Sequence, residues 1–110
     1  MRRRWASGSR FKEGKMDYEF KTTFWSDFSI ADKFGTSAIK DTYRRAFHAW
    51  KNDTVYVTEL AIVLNWKCWS WYNKDEEYSR LYAELYYKLD GWCKKHLKGE
   101  DLIYYWETTD

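Results

Sequence analysis

The sequence predicts an all-α fold, namely a small antiparallel three-helix bundle with short end-capping helices. Proline, the strongest helix breaker, is absent from all 110 residues. Three long segments repeat apolar residues with the period of an α-helix. Short connections join these segments, and such connections make neighbouring helices antiparallel.

The first residues differ in composition from the rest of the chain. Residues 1–15 carry six basic side chains and one acidic side chain, a net charge of +5, without an apolar period. Residues 16–110 carry 13 basic and 16 acidic side chains, a net charge of −3. We therefore expect a basic, disordered N-terminal arm over residues 1–15 and a single helical domain over residues 16–110. Alternatively, residues 1–15 are an upstream extension and Met16 is the natural start.

Aromatic and polar residues alternate from Asp17 to Trp25, and we expect this segment to be extended and to pack its rings onto the helices. Ser26 or Asp27 is expected to cap a short helix that runs to Phe34. Gly35 would then supply the left-handed position after this helix.

The first long helix is expected to begin at a cap provided by Thr36 or Ser37 and to run to about Lys51. The turn Asn52-Asp53-Thr54 follows it. Its apolar residues form one stripe, which consists of Ile39, Tyr43, Ala46, Phe47 and Trp50.

The central helix is predicted from about Val55 to Tyr72, and the rest of the chain is organised around it. Its main apolar stripe consists of Val57, Leu60, Ala61, Leu64, Cys68, Trp71 and Tyr72. A second apolar face consists of Tyr56, Ile62, Val63, Trp66 and Trp69. A helix with two apolar faces requires two neighbouring elements, or one neighbour and a partner molecule.

The third long helix is expected to begin at a cap provided by Asn73 or Asp75, with acidic residues in its first turn that complement the helix dipole. Its apolar residues keep a helical period for about five turns, and Gly99 ends the helix. A last short helix is predicted from Glu100 to Trp106.

Candidate catalytic and metal-binding residues are few. Cys93 and His96 lie three positions apart on one helical face, and Cys68 or His48 could join them. A structural zinc site needs four such ligands, usually in two close pairs, and a Cys/His pair within a helix lacks an oxyanion site. The sequence has no glycine-rich phosphate loop, GxSxG turn or HExxH motif. We expect no metal, no cofactor and no enzymatic activity.

The cellular location is expected to be the cytoplasm. The charge-free run between Glu59 and Lys67 is much shorter than the roughly 20 residues that span a bilayer. No apolar region follows the basic N-terminus as it would in a secretory signal. Cys68 and Cys93 are expected to be reduced thiols, and no membrane partner is expected.

Aromatic residues make up 22% of the chain, including eight Trp and ten Tyr, and a bundle of this size cannot bury all of them. Exposed Trp and Tyr side chains are typical of protein interfaces. We therefore expect a protein-binding or self-associating surface that consists of Trp25, Trp66, Trp69, Tyr86, Tyr87, Tyr104 and Tyr105.

The alternative function is accessory nucleic-acid binding through the arm and the basic helix face from Lys40 to Lys51. Arginine beside aromatic residues is typical of proteins that bind single strands. The net acidic charge of residues 16–110 argues against this alternative. The residues expected to bind in this case are Arg2, Arg3, Arg4, Trp5, Arg10, Arg44 and Arg45.

Three stretches, Thr22–Gly35, Thr58–Leu60 with Val63–Asn65, and Leu97–Glu100, together resemble a family of small uncharacterised proteins that gut bacteria carry on phages and conjugative elements. The resemblance covers about Thr22 to Asp110, and it brings no activity and no catalytic residues. The family pattern has a histidine where this chain has Trp66, so no polar role carries over to that position.

What the resemblance implies is context, because small mobile-element proteins often bind and block a host protein, including defence nucleases. The expected function is therefore that of a non-enzymatic interaction module, an anti-CRISPR-like inhibitor of a host defence or nucleic-acid-processing complex. The expected partner is a host protein, with a nuclease as one candidate, or a second copy of the chain.

Overall fold

The computed structural model describes residues 22–109, of which 84% are helical and none is in a strand. The helices within this range are α1 (Phe24–Asp32), α2 (Thr36–Trp50), α3 (Thr54–Trp71), α4 (Glu76–His96) and α5 (Gly99–Thr109). The predicted all-α fold is confirmed. None of these helices is both long and apolar enough to cross a membrane. The predicted arm at residues 1–15 lies outside the described residues.

Helix α3 lies at the centre of the fold and contacts each of the other four described helices, most extensively α4. The eleven consecutive residues Val57–Lys67 are all buried. A helix buried on every side needs apolar residues all round, which explains the two apolar faces in its sequence. Around it, the core includes side chains from α1, α2, α4 and α5, namely Phe28, Ile39, Tyr82, Leu85, Leu89 and Tyr105.

The two longest helices, α3 and α4, each begin at a residue whose side chain caps the helix. The Asp53 carboxylate accepts hydrogen bonds from the amides of Val55 and Tyr56 at the start of α3. The Asp75 carboxylate accepts one from the amide of Tyr78 at the start of α4, as the sequence predicted for Asn73 or Asp75. These bonds satisfy amides that have no partner within their own helix.

The start of the described chain differs from the prediction. Helix α1 begins at Phe24, so Phe24 and the following residue are helical rather than extended, and neither Ser26 nor Asp27 is the cap. The reason is tertiary, because Phe24 and Phe28 are both buried in the core and four positions apart on one helical face. Asp27 lies in the first turn instead, where it accepts a hydrogen bond from the Thr23 hydroxyl.

The predicted caps around the two glycines are also wrong. Gly35 does have the positive φ that was predicted after α1 (φ 110°, ψ 178°), but it also precedes α2 directly, so Thr36 is already helical and no side chain caps this helix. Helix α4 ends at His96, and Leu97 is buried in an extended conformation. Gly99, with φ 58°, is the first residue of α5, which runs to Thr109 and is longer than predicted.

Candidate functional site

A buried polar network joins α1, α3 and α4, and we call it the Asp32–Lys67 network. Lys67 Nζ lies 2.6 Å from Asp32 Oδ2, and the two side chains are only 6% and 9% exposed. The Trp71 indole N–H donates to the same carboxylate oxygen at 3.2 Å, and the Tyr82 hydroxyl donates to Asp32 Oδ1. The Tyr78 hydroxyl donates to the Asp32 backbone carbonyl at 2.8 Å. The network therefore fixes the C-terminal turn of α1 against two other helices.

The Lys67 ammonium is enclosed on its other sides. It donates to Ser29 Oγ at 3.1 Å and lies 4.7 Å from the centroid of the Trp25 ring and 6.0 Å from that of Tyr82. These distances are in the range of cation–π contacts. Trp25, predicted as an interface residue, is half-buried and covers this ammonium.

Tyr82, one of the two tyrosines of the network, acts as a donor to the Asp32 side chain. Burial, followed by the hydrogen bond to Asp32 and the charge of that carboxylate, raises the pKa of Tyr82. The phenol therefore stays protonated and donates to the carboxylate at neutral pH. The sequence did not predict the Asp32–Lys67 pair, although a charged residue within the apolar central helix was a signal that a partner was needed.

A second buried polar cluster joins α4 to α5. The Tyr105 hydroxyl donates to Asp90 Oδ1, the Tyr86 hydroxyl donates to the same oxygen at 3.4 Å, and Lys94 Nζ lies 3.0 Å from Asp90 Oδ2. Burial and the hydrogen bond to Asp90 raise the pKa of Tyr105. Tyr105 is 0% exposed, so its predicted exposure is wrong. A tyrosine can be buried in so small a domain because its hydroxyl finds an acceptor there.

The prediction that Trp66 is exposed is also wrong. Trp66 is 9% exposed, and its indole N–H donates to the Thr108 carbonyl at 3.3 Å. Beside it, the Asn65 side-chain amide donates to the Thr109 carbonyl at 2.9 Å. The last carbonyls of a helix lack partners within that helix, so these two side chains hold the end of α5 against α3.

Cys93 and His96 do not form a common site. Cys93 is 0% exposed, and burial and the nearby Asp90 carboxylate raise the pKa of its thiol to about 12. His96 is exposed, and its ring stacks on Trp92 with centroids 4.3 Å apart. Within residues 22–109, no group of three or more His, Cys, Asp or Glu side chains could hold a metal ion.

The remaining predicted interface residues include exposed ones on three helices. Trp69 on α3 is 63% exposed, Tyr87 on α4 is 68% exposed and Tyr104 on α5 is 40% exposed. Tyr86 is half-buried and contacts Tyr87. Tyr72, which the sequence assigned to the core stripe, is 57% exposed, and its ring centroid lies 5.3 Å from that of Trp69.

The residues of the nucleic-acid alternative are divided between two parts of the chain. Arg2, Arg3, Arg4, Trp5 and Arg10 lie outside the described residues. Arg44 and Arg45 are exposed on α2, but the Arg45 guanidinium forms a hydrogen-bonded ion pair with Asp41, and the Arg44 guanidinium lies 3.8 Å from that carboxylate.

Comparisons of the chain with protein-family models, curated proteins and solved structures find no match. The function is therefore argued from the surfaces and contacts described above.

Proposed function

We propose that this protein is a non-enzymatic interaction module that binds a basic surface of a partner protein through the exposed end of α3. We call this the α3-end surface, and it consists of Trp69, Tyr72, Glu76 and Glu77. The observation that carries the proposal is that Trp69 and Tyr72 contact each other while they remain 63% and 57% exposed.

Two exposed aromatic rings in contact have the properties of an interface anchor. Burying apolar surface releases about 25 cal/mol per Å², and Trp and Tyr are enriched among the residues that dominate binding energy. Because the rings already restrict each other, they lose less conformational freedom on binding than isolated side chains would.

Acidic residues that follow the rings in the chain indicate the kind of partner that we propose. Glu76 and Glu77 open α4 four and five positions after Tyr72, and both are exposed. Glu76 accepts from Arg80 at 2.8 Å on a fully solvated helix face, where such pairs are weak. Carboxylates next to an apolar anchor complement Lys and Arg side chains on a partner, which speeds association and favours the correct orientation.

The absence of catalysis is part of the proposal. Its support is that the candidate nucleophile Cys93 is a buried thiol with a raised pKa, whereas the exposed His96 is stacked on Trp92.

We propose a host defence or nucleic-acid-processing complex in the cytoplasm as the target, with a nuclease as the leading candidate. Proteins of this class expose basic surfaces for nucleic acid, and an acidic, aromatic surface can occupy them. The resemblance of Thr22–Gly35 and the two other stretches to mobile-element proteins supports this choice.

The test compares the full chain with the double variant Trp69→Ala/Tyr72→Ala. The matched control is Phe34→Ala/Val55→Ala, which removes side chains that are 75% and 50% exposed elsewhere. Proteins cross-linked to the chain in a host lysate are identified by mass spectrometry, and each purified candidate is then titrated by calorimetry.

We expect the Trp69/Tyr72 variant to bind its partner about 100-fold more weakly, which corresponds to about 2.7 kcal/mol. The control is expected to bind within about threefold of the parent chain, as substitutions away from an interface do. If the partner is a nuclease, the parent chain inhibits cleavage and the Trp69/Tyr72 variant does not. Equal binding by both variants would refute the α3-end surface.

For the fold, we propose that α2, α3 and α4 form an antiparallel three-helix bundle with α1 and α5 as its end-capping helices. In support, Trp71 packs against Tyr78 while Lys67, one turn earlier on α3, approaches Tyr82, one turn later on α4. Contacts that run in opposite directions along the two helices are those of an antiparallel pair.

A further inference from the structure

A row of aromatic rings crosses from α2 to α4. Phe47 and Trp92 form an edge-to-face contact with ring centroids 6.4 Å apart. The row continues on α2, where Tyr43 stacks on Phe47 at 6.3 Å, and on α4, where His96 stacks on Trp92 at 4.3 Å. Tyr43, Phe47 and Trp92 are half-buried and His96 is exposed, so the row reaches the surface.

Exposed cations flank this row on both helices. Helix residues three or four positions apart lie on the same side of the helix. None of the positions three or four away from Phe47 on α2 or from Trp92 on α4 holds an acidic residue. The cations at such positions relative to Tyr43, Phe47 or Trp92 are all exposed, and they are Lys40, Arg44, Lys51, Lys88 and Lys95.

The positive charge beside this row contrasts with the net negative charge of the described residues. Residues 22–109 contain 12 basic and 13 acidic side chains, a net charge of −1, yet five of the 12 cations flank one aromatic row. Arg45 is not among them, because it lies about 100° around the helix from Arg44 and forms a hydrogen-bonded ion pair with Asp41, whereas the Arg44 guanidinium lies 3.8 Å from that carboxylate. The cationic side of α2 therefore excludes Arg45 and is narrower than the Lys40–Lys51 face that the sequence predicted.

We propose that these five cations and the aromatic row form a binding surface for single-stranded nucleic acid, which we call the α2–α4 surface. Lys40 and Arg44 are about one helical turn, 5.4 Å, apart, and Lys51, directly after α2, is about two turns beyond Arg44, so these cations would contact phosphates spaced along one strand. The exposed His96 ring, which stacks on Trp92, would stack on an unpaired base, and stacking rings beside cations are the combination that single-strand binders use. This surface shares no residue with the α3-end surface, so the proposal goes beyond the proposed function.

The test measures the binding of the full chain to a fluorescein-labelled single-stranded 20-mer by fluorescence anisotropy at 50–300 mM salt. The α2–α4 variant is Arg44→Ala/Lys88→Ala/Lys95→Ala. The matched control is Lys33→Ala/Lys74→Ala/Arg80→Ala, which removes the same charge from exposed positions elsewhere. Residues 1–15 are present in every chain, so their contribution is constant. Circular dichroism verifies folding, and a triple Gln variant at the same α2–α4 positions replaces the Ala variant if that one does not fold.

Each phosphate contact to a single strand contributes about −0.7 to the slope of log K against log salt. We therefore expect the slope of the α2–α4 variant to be less steep than that of the parent by about 2, whereas the control keeps the parent slope. We expect Trp92→Leu, which keeps apolar bulk against Phe47, to weaken binding to the 20-mer more than binding to inorganic polyphosphate. No binding at 50 mM salt, equal slope changes in the two triple variants, or equally tight binding of duplex DNA or polyphosphate would overturn the proposal.

Discussion

The Asp32–Lys67 network allows a sharp prediction about stability. Asp32→Ala removes the acceptor of the Lys67 ammonium and leaves that charge buried, with the Ser29 hydroxyl and the rings of Trp25 and Tyr82 beside it but no anion. Because both side chains of the ion pair are less than a tenth exposed, solvent screens the loss little. Removing one partner of a buried ion pair costs about 3–5 kcal/mol, a large part of the roughly 5–15 kcal/mol that stabilises a domain of this size.

The assay is urea unfolding followed by circular dichroism, with the free energy of unfolding obtained by linear extrapolation. The double variant Asp32→Leu/Lys67→Met removes both charges and keeps much of the volume. We expect it to recover at least about half of the loss, because no buried charge remains, although Trp71 and Tyr82 still lose an acceptor.

Two results would refute this reasoning. One is a loss below about 1 kcal/mol in Asp32→Ala, which would be typical of a solvated pair. The other is a double variant whose loss equals the sum of the losses of Asp32→Leu and Lys67→Met, because additive losses show that the two side chains are not coupled.

Three further predictions concern burial. Burial raises the pKa values of Tyr82 and Tyr105 above 10.0, so their contribution to stability is complete below pH 10 and is lost as the pH rises further. The urea midpoint of the parent chain should therefore fall between pH 10 and 11.5, and that of Tyr82→Phe should fall less steeply. Trp66→Ala should lower the free energy of unfolding by about 3–5 kcal/mol and Trp69→Ala by less than about 0.5 kcal/mol, and similar losses for the two would contradict their different burial. The Cys93 thiol, buried and with a pKa of about 12, should not react with a thiol reagent at pH 8 until urea is added, so that native chains release at most one equivalent and unfolded chains two.

The elements that the sequence predicted well are those that depend on local interactions. The period of apolar residues predicted α2, α3 and α4 to within a few residues, and the Asp75 cap of α4 was among the two candidates. The central position of α3 followed from its two apolar faces. Where long-range contacts decide a boundary, as with Phe24 and Phe28 at the start of α1, local signals placed the helix start a few residues too late.

The candidate sites depended far more on tertiary contacts. The amount of aromatic surface indicated that some Trp and Tyr side chains must be exposed, but composition cannot tell which ones. Trp66 and Tyr105 are buried where the Thr108 carbonyl and the Asp90 carboxylate accept their polar hydrogens, whereas Trp69, three positions after Trp66, is 63% exposed.

The sequence by itself determined that this protein is helical, where its long helices lie, and that its central helix needs neighbours on two faces, because these properties follow from the spacing of residues within each segment. Only the tertiary structure decided that Asp32 pairs with Lys67, 35 positions away, and that rings of α2 and α4 form one aromatic row. The physical reason is that a buried charge or a surface site depends on residues that are distant in the chain, and periodicity within one helix carries no information about which other helix will lie against it.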